Sequence, residues 1–330
     1  MVPNSEYIKI LNNLELLEEF IGDLIIFPKQ ILHKWAVITH QTPAVKLGYL
    51  GQHIASLITG VQGTSTGARG DDLADGTEVK SCNKIDQADK CKVCGHRVMR
   101  FEKTCPHCQS SSIDRKNDSK WLFSVRDEYE LQQYLQLNRI LLIVMDYPNF
   151  LERKFNDIRI SSFEIYPREE RMRVFCDLIK NHYYNIYLPK LRNNQKTNPM
   201  NLHPYSFQFY MCNPIQTFSC IIKDIDTSPE VQIEKYLEPS VERDEQVPSL
   251  LMPSSLLKSN AREWDTLAEK ADFDNEIKPF LTKELSKNQF TRLADKEKIQ
   301  VLPFINEKLR SYLSLREIIS VTQSVHYHRR

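Results

Sequence analysis

The chain has 330 residues, of which 41% are hydrophobic and 26% charged, and its net charge is +1. This composition is that of an ordinary soluble globular protein, and the length suffices for one large domain or two to three modest ones. The first apolar stretch, "LELLEEFIGDLIIF", is too interrupted by acids for a membrane span and lies too far from the start for a signal peptide, so we expect a cytoplasmic protein. At this net charge, a polyanionic partner would have to be bound by local basic surface.

Residues 5 to 46 show the apolar spacing of helices, for example in "EYIKILNNLELLEEFIGDL". This spacing predicts an N-terminal helical region, residues 1–45, that packs against the core or against another subunit. Glycines concentrate in the next part of the chain: seven of the nine lie between Gly48 and Gly76, and none follows Gly95. Glycine is used where the backbone turns sharply or approaches another group closely, so this clustering indicates a functional site.

The stretch "DDLADGTEVKS" predicts a β-hairpin that turns at Asp75-Gly76, the dipeptide that best supplies the positive φ angles of a two-residue type I′ turn. Residues that pair across a hairpin share a face, as do residues two apart on one strand. In this register Asp71, Glu78 and Lys80 point to the same face. A three-residue loop would shift the register and bring Asp72 to that face instead of Asp71.

Two carboxylates and a lysine on one face suit a metal-dependent phosphodiesterase. Asp71, Glu78 and the carbonyl of Val79 would ligate Mg²⁺ through oxygen, and Lys80 would orient the attacking water or help to deprotonate it. The alternative is an exposed acidic turn in which Glu78 and Lys80 form a surface ion pair worth less than about 1 kcal/mol. The apolar runs further along the chain favour the site, because they predict a buried sheet beside the hairpin.

Two C-x-x-C pairs, ten residues apart, are formed in "CKVCGHRVMRFEKTCPHC" by Cys91, Cys94, Cys105 and Cys108. This is the spacing of a four-cysteine zinc ribbon, in which each pair supplies two thiolates to a tetrahedral site. A closed site of four thiolates leaves no position for water, so we expect one structural Zn²⁺ per chain. The alternatives are two disulfides, or His96 or His107 in place of one cysteine.

We expect this ribbon, residues 85–118, to be inserted into the core and to contact DNA. The segment from Lys84 to Arg126 contains ten basic and five acidic residues, an excess that suits a phosphate backbone. The candidate DNA contacts in and before the ribbon are Arg69, Arg97, Arg100 and Lys103.

Two continuous apolar runs, "WLFSV" from Trp121 to Val125 and "ILLIVM" from Ile140 to Met145, are typical of buried sheet strands. The stretch "DEYELQQYLQL" between them predicts a helix. From Tyr166 to His203 basic residues outnumber acidic ones by seven to three, and tyrosines and asparagines are interleaved with them. That mixture suits DNA contact, with Arg192 and Lys196 as candidates.

An acidic, proline-containing passage from Asp224 to Pro253 predicts a linker or an edge. After it, "AREWDTLAEKADF", "TRLADKEKIQVLPFINEKLRSYLS" and "REIISVTQSVH" have helical patterns. We therefore predict a core over residues 46–225, followed by a linker and a helical region over 226–330 that serves DNA binding or dimerisation.

The set Asp71, Glu78, Val79 and Lys80 resembles the D…(D/E)-x-K signature of the PD-(D/E)xK nucleases, with a short gap similar to that of the mismatch-repair endonuclease MutH and its restriction relatives. The preceding "GYLGQHIASLITGVQG" resembles the glycine-led helix before the catalytic hairpin of those enzymes. With the ribbon that follows, the stretch from Leu47 to about Asp146 looks most like type II restriction endonucleases of the MamI kind.

The resemblance implies an α/β fold with an α+β mixed sheet of the restriction-endonuclease type. It implies a Mg²⁺-dependent, sequence-specific endonuclease that hydrolyses phosphodiester bonds of double-stranded DNA as a homodimer. A cognate DNA methyltransferase would belong to the same system without being a physical partner. The alternative functions are a non-enzymatic zinc-ribbon DNA-binding protein and a MutH-like repair nickase.

One position departs from the MutH-like pattern, in which the helix carries a further acid a few residues after its glycine. Four residues after Gly51 this chain has Ala55. We expect either that Gln52, His53 or Ser56 takes over the contacts of the missing acid or that the site does without it.

Overall fold

The computed structural model of the chain describes residues 1–65, 71–169, 172–206, 208–209, 212–243, 261–281, 283–298, 301, 309 and 312. The strands within these residues are β1 Thr77–Asn83, β2 Asp89–Cys91, β3 Arg97–Val98, β4 Ile113–Asp114, β5 Trp121–Phe123, β6 Arg139–Asp146, β7 Ile158–Ile165, β8 Met200–Leu202, β9 Ile215–Lys223 and β10 Glu230–Tyr236. The α-helices are α1 Asn13–Ile21, α2 Phe27–Thr39, α3 Leu47–Thr59, α4 Glu128–Gln136, α5 Arg173–Asn181, α6 Leu188–Arg192, α7 Ala261–Lys270, α8 Lys287–Thr291 and α9 Asp295–Lys298. One π-helical turn, Gly22–Ile26, joins α1 to α2, and another, His182–Tyr187, joins α5 to α6.

A mixed five-stranded sheet forms the centre of the fold, in the order β1-β6-β7-β9-β10. β1 runs parallel to β6, with Glu78 opposite Ile140 and Lys80 opposite Leu142, and the remaining neighbours are antiparallel. All eight residues of β6 are buried, as its continuous apolar run predicts. The α/β fold with a mixed sheet is therefore confirmed.

Successive side chains of a strand point to opposite faces of the sheet, and here helices pack on both faces. On β6, Leu141, Ile143 and Met145 face the cluster that contains apolar residues of α1 and α3. The alternate residues of β6 face a second cluster, to which α4, α5, β5 and β8 contribute. β1 thus presents one face to α3 and the other to α4.

The predicted strand at Trp121 does not enter the central sheet. β5 pairs with β8 in a separate two-stranded sheet, where Trp121 lies opposite Leu202. The indole Nε1 of Trp121 donates a hydrogen bond to the carbonyl of Ile143, at 2.9 Å, and so attaches the small sheet to β6. The helix predicted between the two apolar runs is present as α4.

The ribbon forms a three-stranded sheet, β3-β2-β4, and it contacts the core through Arg100. Within the ribbon, the buried Asp89 forms ion pairs with Arg100 at 3.2 Å and Arg115 at 2.8 Å. The guanidinium of Arg100 also lies 5.2 Å from the ring centre of Phe150 and 5.1 Å from that of Phe155, both in the core. Cation–π contacts of this kind stabilise most where water is excluded.

The predicted boundary of the core at residue 225 is wrong. β10 follows that boundary and is the fifth strand of the central sheet, so the passage from Asp224 contains an edge strand. Further on, the fully buried Arg243 donates to Glu164, with Nε 3.1 Å from Oε2. The core therefore extends at least to residue 243.

The described part of the C-terminal region is helical, as predicted, and has its own small apolar cluster around Trp264 and Phe290. Val174 of α5 packs against this cluster. Most of the predicted helical sequence after residue 298 lies outside the described residues, as do residues 244–253 of the predicted linker. Among the helices that the structure describes, none has the length and apolar character needed to cross a membrane.

Candidate active site

The loop before β1 has three residues, so the predicted two-residue turn is wrong. Leu73 bridges Thr77, and the N–H of Gly76 donates to the carbonyl of Leu73 at 3.0 Å. Gly76 has a φ of +78°. This is the three-residue arrangement in which a type I turn is followed by one left-handed residue. The register is therefore the alternative one, which favours Asp72 over Asp71.

The Asp72 carboxylate lies beside β1 and accepts two hydrogen bonds. The backbone N–H of Val79 donates to Oδ2 at 2.7 Å, and Nε2 of Gln52 donates to Oδ1 at 2.5 Å. Burial raises the pKa of Asp72 above its usual value, although the Val79 N–H and the charge of Lys80 lower it. Asp71, in contrast, is exposed, and its carboxylate lies near Gly76.

Glu78 and Lys80 project from the same face of β1, toward α4. Their side chains are 17% and 24% exposed, and the ammonium of Lys80 contacts Oε1 of Glu78. Burial raises the pKa of Glu78, and the negative charges of Asp72 and Asp71 raise it further, against the effect of Lys80. The two carboxylates, Asp72 and Glu78, thus share a partly desolvated site with one lysine.

Tyr134 of α4 is a site residue that the sequence did not predict. Nζ of Lys80 lies 5.9 Å from the centre of its ring. Burial lowers the pKa of Lys80, but Tyr134 and Glu78 raise it, and the net shift is upward. The spacing of three residues from the buried Leu131 places Tyr134 on the inner face of α4, but nothing in the sequence indicates its contact with Lys80.

Helix α3 brings Gln52 to the site through a close approach at Gly51. A Cβ on Gly51 would lie 1.8 Å from Oγ of Ser81 on β1, so only glycine fits there without a shift. Gln52 donates to Asp72, whereas His53 is exposed and its ring lies 5.8 Å from that of Phe20. Adjacent helical residues point about 100° apart, which explains the difference. Ala55 is buried in the core.

The donor set at this edge of β1 fits a hard divalent cation. Burial raises the pKa of both carboxylates, and the charge of Asp72 raises that of Glu78 further; a bound cation would offset these effects. The N–H of Val79 points toward Asp72. Since the N–H and C=O of one strand residue point to the same side, the carbonyl of Val79 also points there. Three oxygen donors of the kind that Mg²⁺ prefers therefore converge.

The four ribbon cysteines form a second candidate metal site. Their sulfur atoms all lie within 4.8 Å of one another, with 3.6 Å between Sγ of Cys91 and Cys108 and 3.6 Å between Sγ of Cys94 and Cys105. A tetrahedral zinc with Zn–S bonds of about 2.3 Å places its sulfur atoms roughly 3.8 Å apart. All four are free thiols rather than disulfides. His96 and His107 stack on each other, with ring centres 5.4 Å apart, and are not part of this cluster.

The candidate DNA contacts differ in accessibility. Arg97, Lys103, Arg192 and Lys196 are exposed. Arg100 is only 3% exposed and donates to the carbonyl of Lys116 at 2.6 Å, so the expectation that it contacts DNA does not agree with its burial. Arg69 lies outside the described residues. Near Arg192, a cleft of about 570 Å³ is lined by polar side chains that include Asn185, Asn193 and Gln195.

A mixed sheet with an Asp…Glu-x-Lys set on its edge strand defines the restriction-endonuclease-like class. The family model described as MamI restriction endonuclease matches residues 34–255, which is two thirds of the chain, and the chain belongs to that family. It is 41% identical over 75 residues to the type II restriction enzyme MamI of Microbacterium ammoniaphilum, an alignment that spans 23% of this chain and 24% of that enzyme. No solved structure gives a significant match.

Proposed function

We propose that the chain is a Mg²⁺-dependent type II restriction endonuclease that hydrolyses phosphodiester bonds at specific sites in double-stranded DNA. The observation that carries this proposal is the convergence of Asp72, Glu78 and Lys80 at the edge of β1. Family membership supports the same reaction. The proposal replaces Asp71 by Asp72 in the catalytic set, because Asp72 accepts the hydrogen bond of Val79 and Asp71 is exposed.

In this proposal Asp72, Glu78 and the carbonyl of Val79 hold the metal. When bound, Mg²⁺ supplies Lewis acidity toward the scissile phosphate and lowers the pKa of a coordinated water. Gln52 fixes the orientation of the Asp72 carboxylate through its hydrogen bond to Oδ1. Such partners of ligating carboxylates set the geometry of a metal site.

Lys80 acts as an ammonium group rather than as a general base. Its pKa is raised, so it stays protonated at neutral pH and can donate hydrogen bonds but not accept a proton. It can therefore orient the attacking water and oppose the charge that develops on the phosphate oxygens. Tyr134 and Glu78 position its Nζ.

The four-cysteine cluster would hold a structural Zn²⁺ that stabilises the ribbon. The exposed Arg97 and Lys103 of the ribbon, with Arg192 and Lys196, would contact the DNA backbone. A single catalytic set per chain calls for two chains related by a twofold axis to cut both strands. The proposal includes a cognate methyltransferase that protects host DNA without binding this protein.

Plasmid cleavage tests the proposal. The purified protein should convert supercoiled plasmid to discrete linear fragments with Mg²⁺ and should do nothing in EDTA. Glu78→Gln and Lys80→Ala should lose cleavage by at least about 100-fold, since each removes a group at the reacting phosphate. Lys223→Ala, at an exposed lysine on β9, is the matched control and should cut normally.

Binding to the same DNA should persist in Lys80→Ala, because one missing ammonium changes few contacts. Full cleavage by Glu78→Gln would refute the assignment of the site. Nicked circles as the end product would instead favour a nickase.

A further inference from the structure

Helix α2 carries a stripe of large apolar side chains on its exposed side. The stripe consists of Phe27, Ile31, Trp35 and Ile38, which are 63%, 41%, 53% and 63% exposed. At about 100° per residue these four positions fall within an arc of roughly 80° on the helix. Leu24, in the preceding π-helical turn, is 41% exposed and extends the stripe.

The opposite side of α2 faces the core and is held there by polar contacts. Ala36 and Lys29 are 3% and 4% exposed, and the ammonium of Lys29 pairs with the buried Asp86. Nε2 of Gln30 donates to the carbonyl of Ile225 at 3.1 Å. The helix is therefore anchored with its apolar side outward, although the sequence allowed packing against either the core or another subunit.

The exposed apolar area of the stripe is large enough for the centre of a protein–protein interface. An aromatic side chain has about 150–250 Å² to bury, so Phe27 and Trp35 alone expose on the order of 200 Å². Together with the aliphatic members, the stripe reaches the few hundred Å² of the largest apolar patch on a typical monomer, and patches of that size are often functional. A stable interface takes about 800 Å² from each partner, with an apolar centre and a polar rim.

The charges along α1 and α2 are distributed so that they complement a second copy of the same helices. The first half carries four exposed acids: Glu15, Glu18, Glu19 and Asp23. Helix α2 contains no acid and has Lys34 as an exposed cation; His40 and Lys46, which follow the helix, are also exposed. Two copies packed antiparallel would place acids against bases, whereas parallel copies would place like charges together.

One antiparallel register of the two helices brings both the apolar side chains together and the acids beside the bases. It places Phe27 of one chain beside the partner's Ile31, Leu24 beside the partner's Trp35, and Asp23 beside the partner's Lys34. Because a twofold axis exchanges the two chains, each of these contacts occurs twice. The axis passes between Phe27 and Ile31.

We infer that the α2 stripe is the interface of a twofold homodimer in which the α2 helices of two copies pack antiparallel. The inference rests on the proposed function in that cleavage of both strands by one catalytic set per chain calls for a second copy. The contact surface is the side of α2 that faces away from the core.

The test is the molar mass of full-length variants by sedimentation velocity, with and without DNA. The wild-type protein should have a molar mass of twice the 38.7 kDa of one chain. Ile31→Glu would bury a charge at the axis in each chain, and it should raise the dimer Kd by on the order of 100-fold. Leu151→Glu, at a side chain that is 84% exposed and far along the chain from α2, is the matched control and should remain dimeric.

Charge exchange tests the antiparallel register. Asp23→Lys should weaken the dimer by about tenfold, as expected when rim charges are reversed, and Asp23→Lys combined with Lys34→Asp should restore it. A double variant as weak as the single one would overturn the antiparallel register. A wild-type chain that is monomeric both free and on DNA, or a dimeric Ile31→Glu, would overturn the interface.

A failure of the proposed function and a failure of the proposed interface would give different results. Glu78→Gln should be inactive but dimeric, and Ile31→Glu should be monomeric with its catalytic residues intact. If the wild-type chain dimerises through the stripe but cuts no DNA, the catalytic proposal fails and the interface stands.

Discussion

Two neighbouring aspartates in the candidate active site differ in their surroundings. Asp72 accepts hydrogen bonds from Val79 and Gln52 and is partly buried, whereas Asp71 is exposed. The proposed function therefore gives different roles to two identical side chains one residue apart.

Asp72→Asn should therefore lower the cleavage rate by more than about 100-fold, since even the outer partners of metal ligands contribute 10–100-fold. The amide can still accept the hydrogen bond of Val79, so the loop should keep its conformation. Asp71→Asn is the matched control and should cost less than about tenfold. Cleavage rates at saturating Mg²⁺, with circular dichroism to check folding, measure the difference. Equal losses in both variants would contradict the assignment.

The three-residue loop before β1, which favours Asp72 over Asp71, was predictable only in part. Asp75-Gly76 supports both a two-residue turn and the observed three-residue loop, because each needs a positive φ at Gly76. The structure shows contacts that come from β6 and its approach, more than 60 residues away: Asn138 donates to the carbonyl of Asp75 at 2.8 Å, and Arg139 pairs with its carboxylate at 2.6 Å. A local pattern cannot contain such contacts.

Among the secondary-structure elements, those whose burial leaves a local sequence pattern were predicted, and those that depend on distant residues were not. The run "ILLIVM" predicts its strand because burial on both faces leaves a local apolar pattern. The pairing of β5 with β8 joins residues far apart in the chain, such as Trp121 and Leu202, which are 81 positions apart, and has no local pattern. Arg100 was expected to bind DNA because it is basic and lies in the ribbon, but its partners Asp89, Phe150 and Phe155 hold it in the interior.

Helix α3 and strand β1 form the unit that positions the proposed catalytic set, and they approach each other closely at Gly51. Gly51→Ala would place its Cβ 1.8 Å from Oγ of Ser81, so the helix or the Ser81 side chain must shift. Overpacking of this kind costs about 1–3 kcal/mol of unfolding free energy. Because Gln52 moves with the helix, the cleavage rate should fall as well.

Gly48→Ala is the matched control, because it lies in the same helix and a Cβ there would meet nothing within 4 Å. It should leave stability unchanged or raise it by up to about 1 kcal/mol. Urea unfolding of both variants measures these differences. Ser81→Ala added to Gly51→Ala should recover part of the stability, since it removes the Oγ that the new methyl group meets. A Gly51→Ala variant as stable and active as Gly48→Ala would show that α3 can adjust freely.

For the whole molecule, the ribbon is attached to the core by Arg100, and in the proposed function it faces the DNA. Arg100 and Arg115 bind Asp89 at the base of the ribbon, and Arg100 packs on aromatic side chains of the core. The exposed Arg97 and Lys103 therefore keep a set position relative to the catalytic residues. Charges in a fixed arrangement can contribute to register on DNA, because backbone contacts position a protein and base contacts specify its sequence.

DNA affinity should accordingly fall steeply with salt, by about 0.9 in log K per log salt for each phosphate contacted. Neutralising Arg97 and Lys103 together, as Arg97→Gln and Lys103→Gln, should reduce that slope by roughly one for each phosphate that is no longer bound, while the cleavage site stays the same. The control is a double change at two exposed lysines distant in the chain from the ribbon, Lys223→Gln and Lys278→Gln, which should leave the slope as it is. Fluorescence anisotropy over a salt series measures the slope, and sequencing of fragment ends identifies the site. A changed cleavage site would mean that the ribbon contacts bases, because removing phosphate contacts alone weakens binding to all sequences equally.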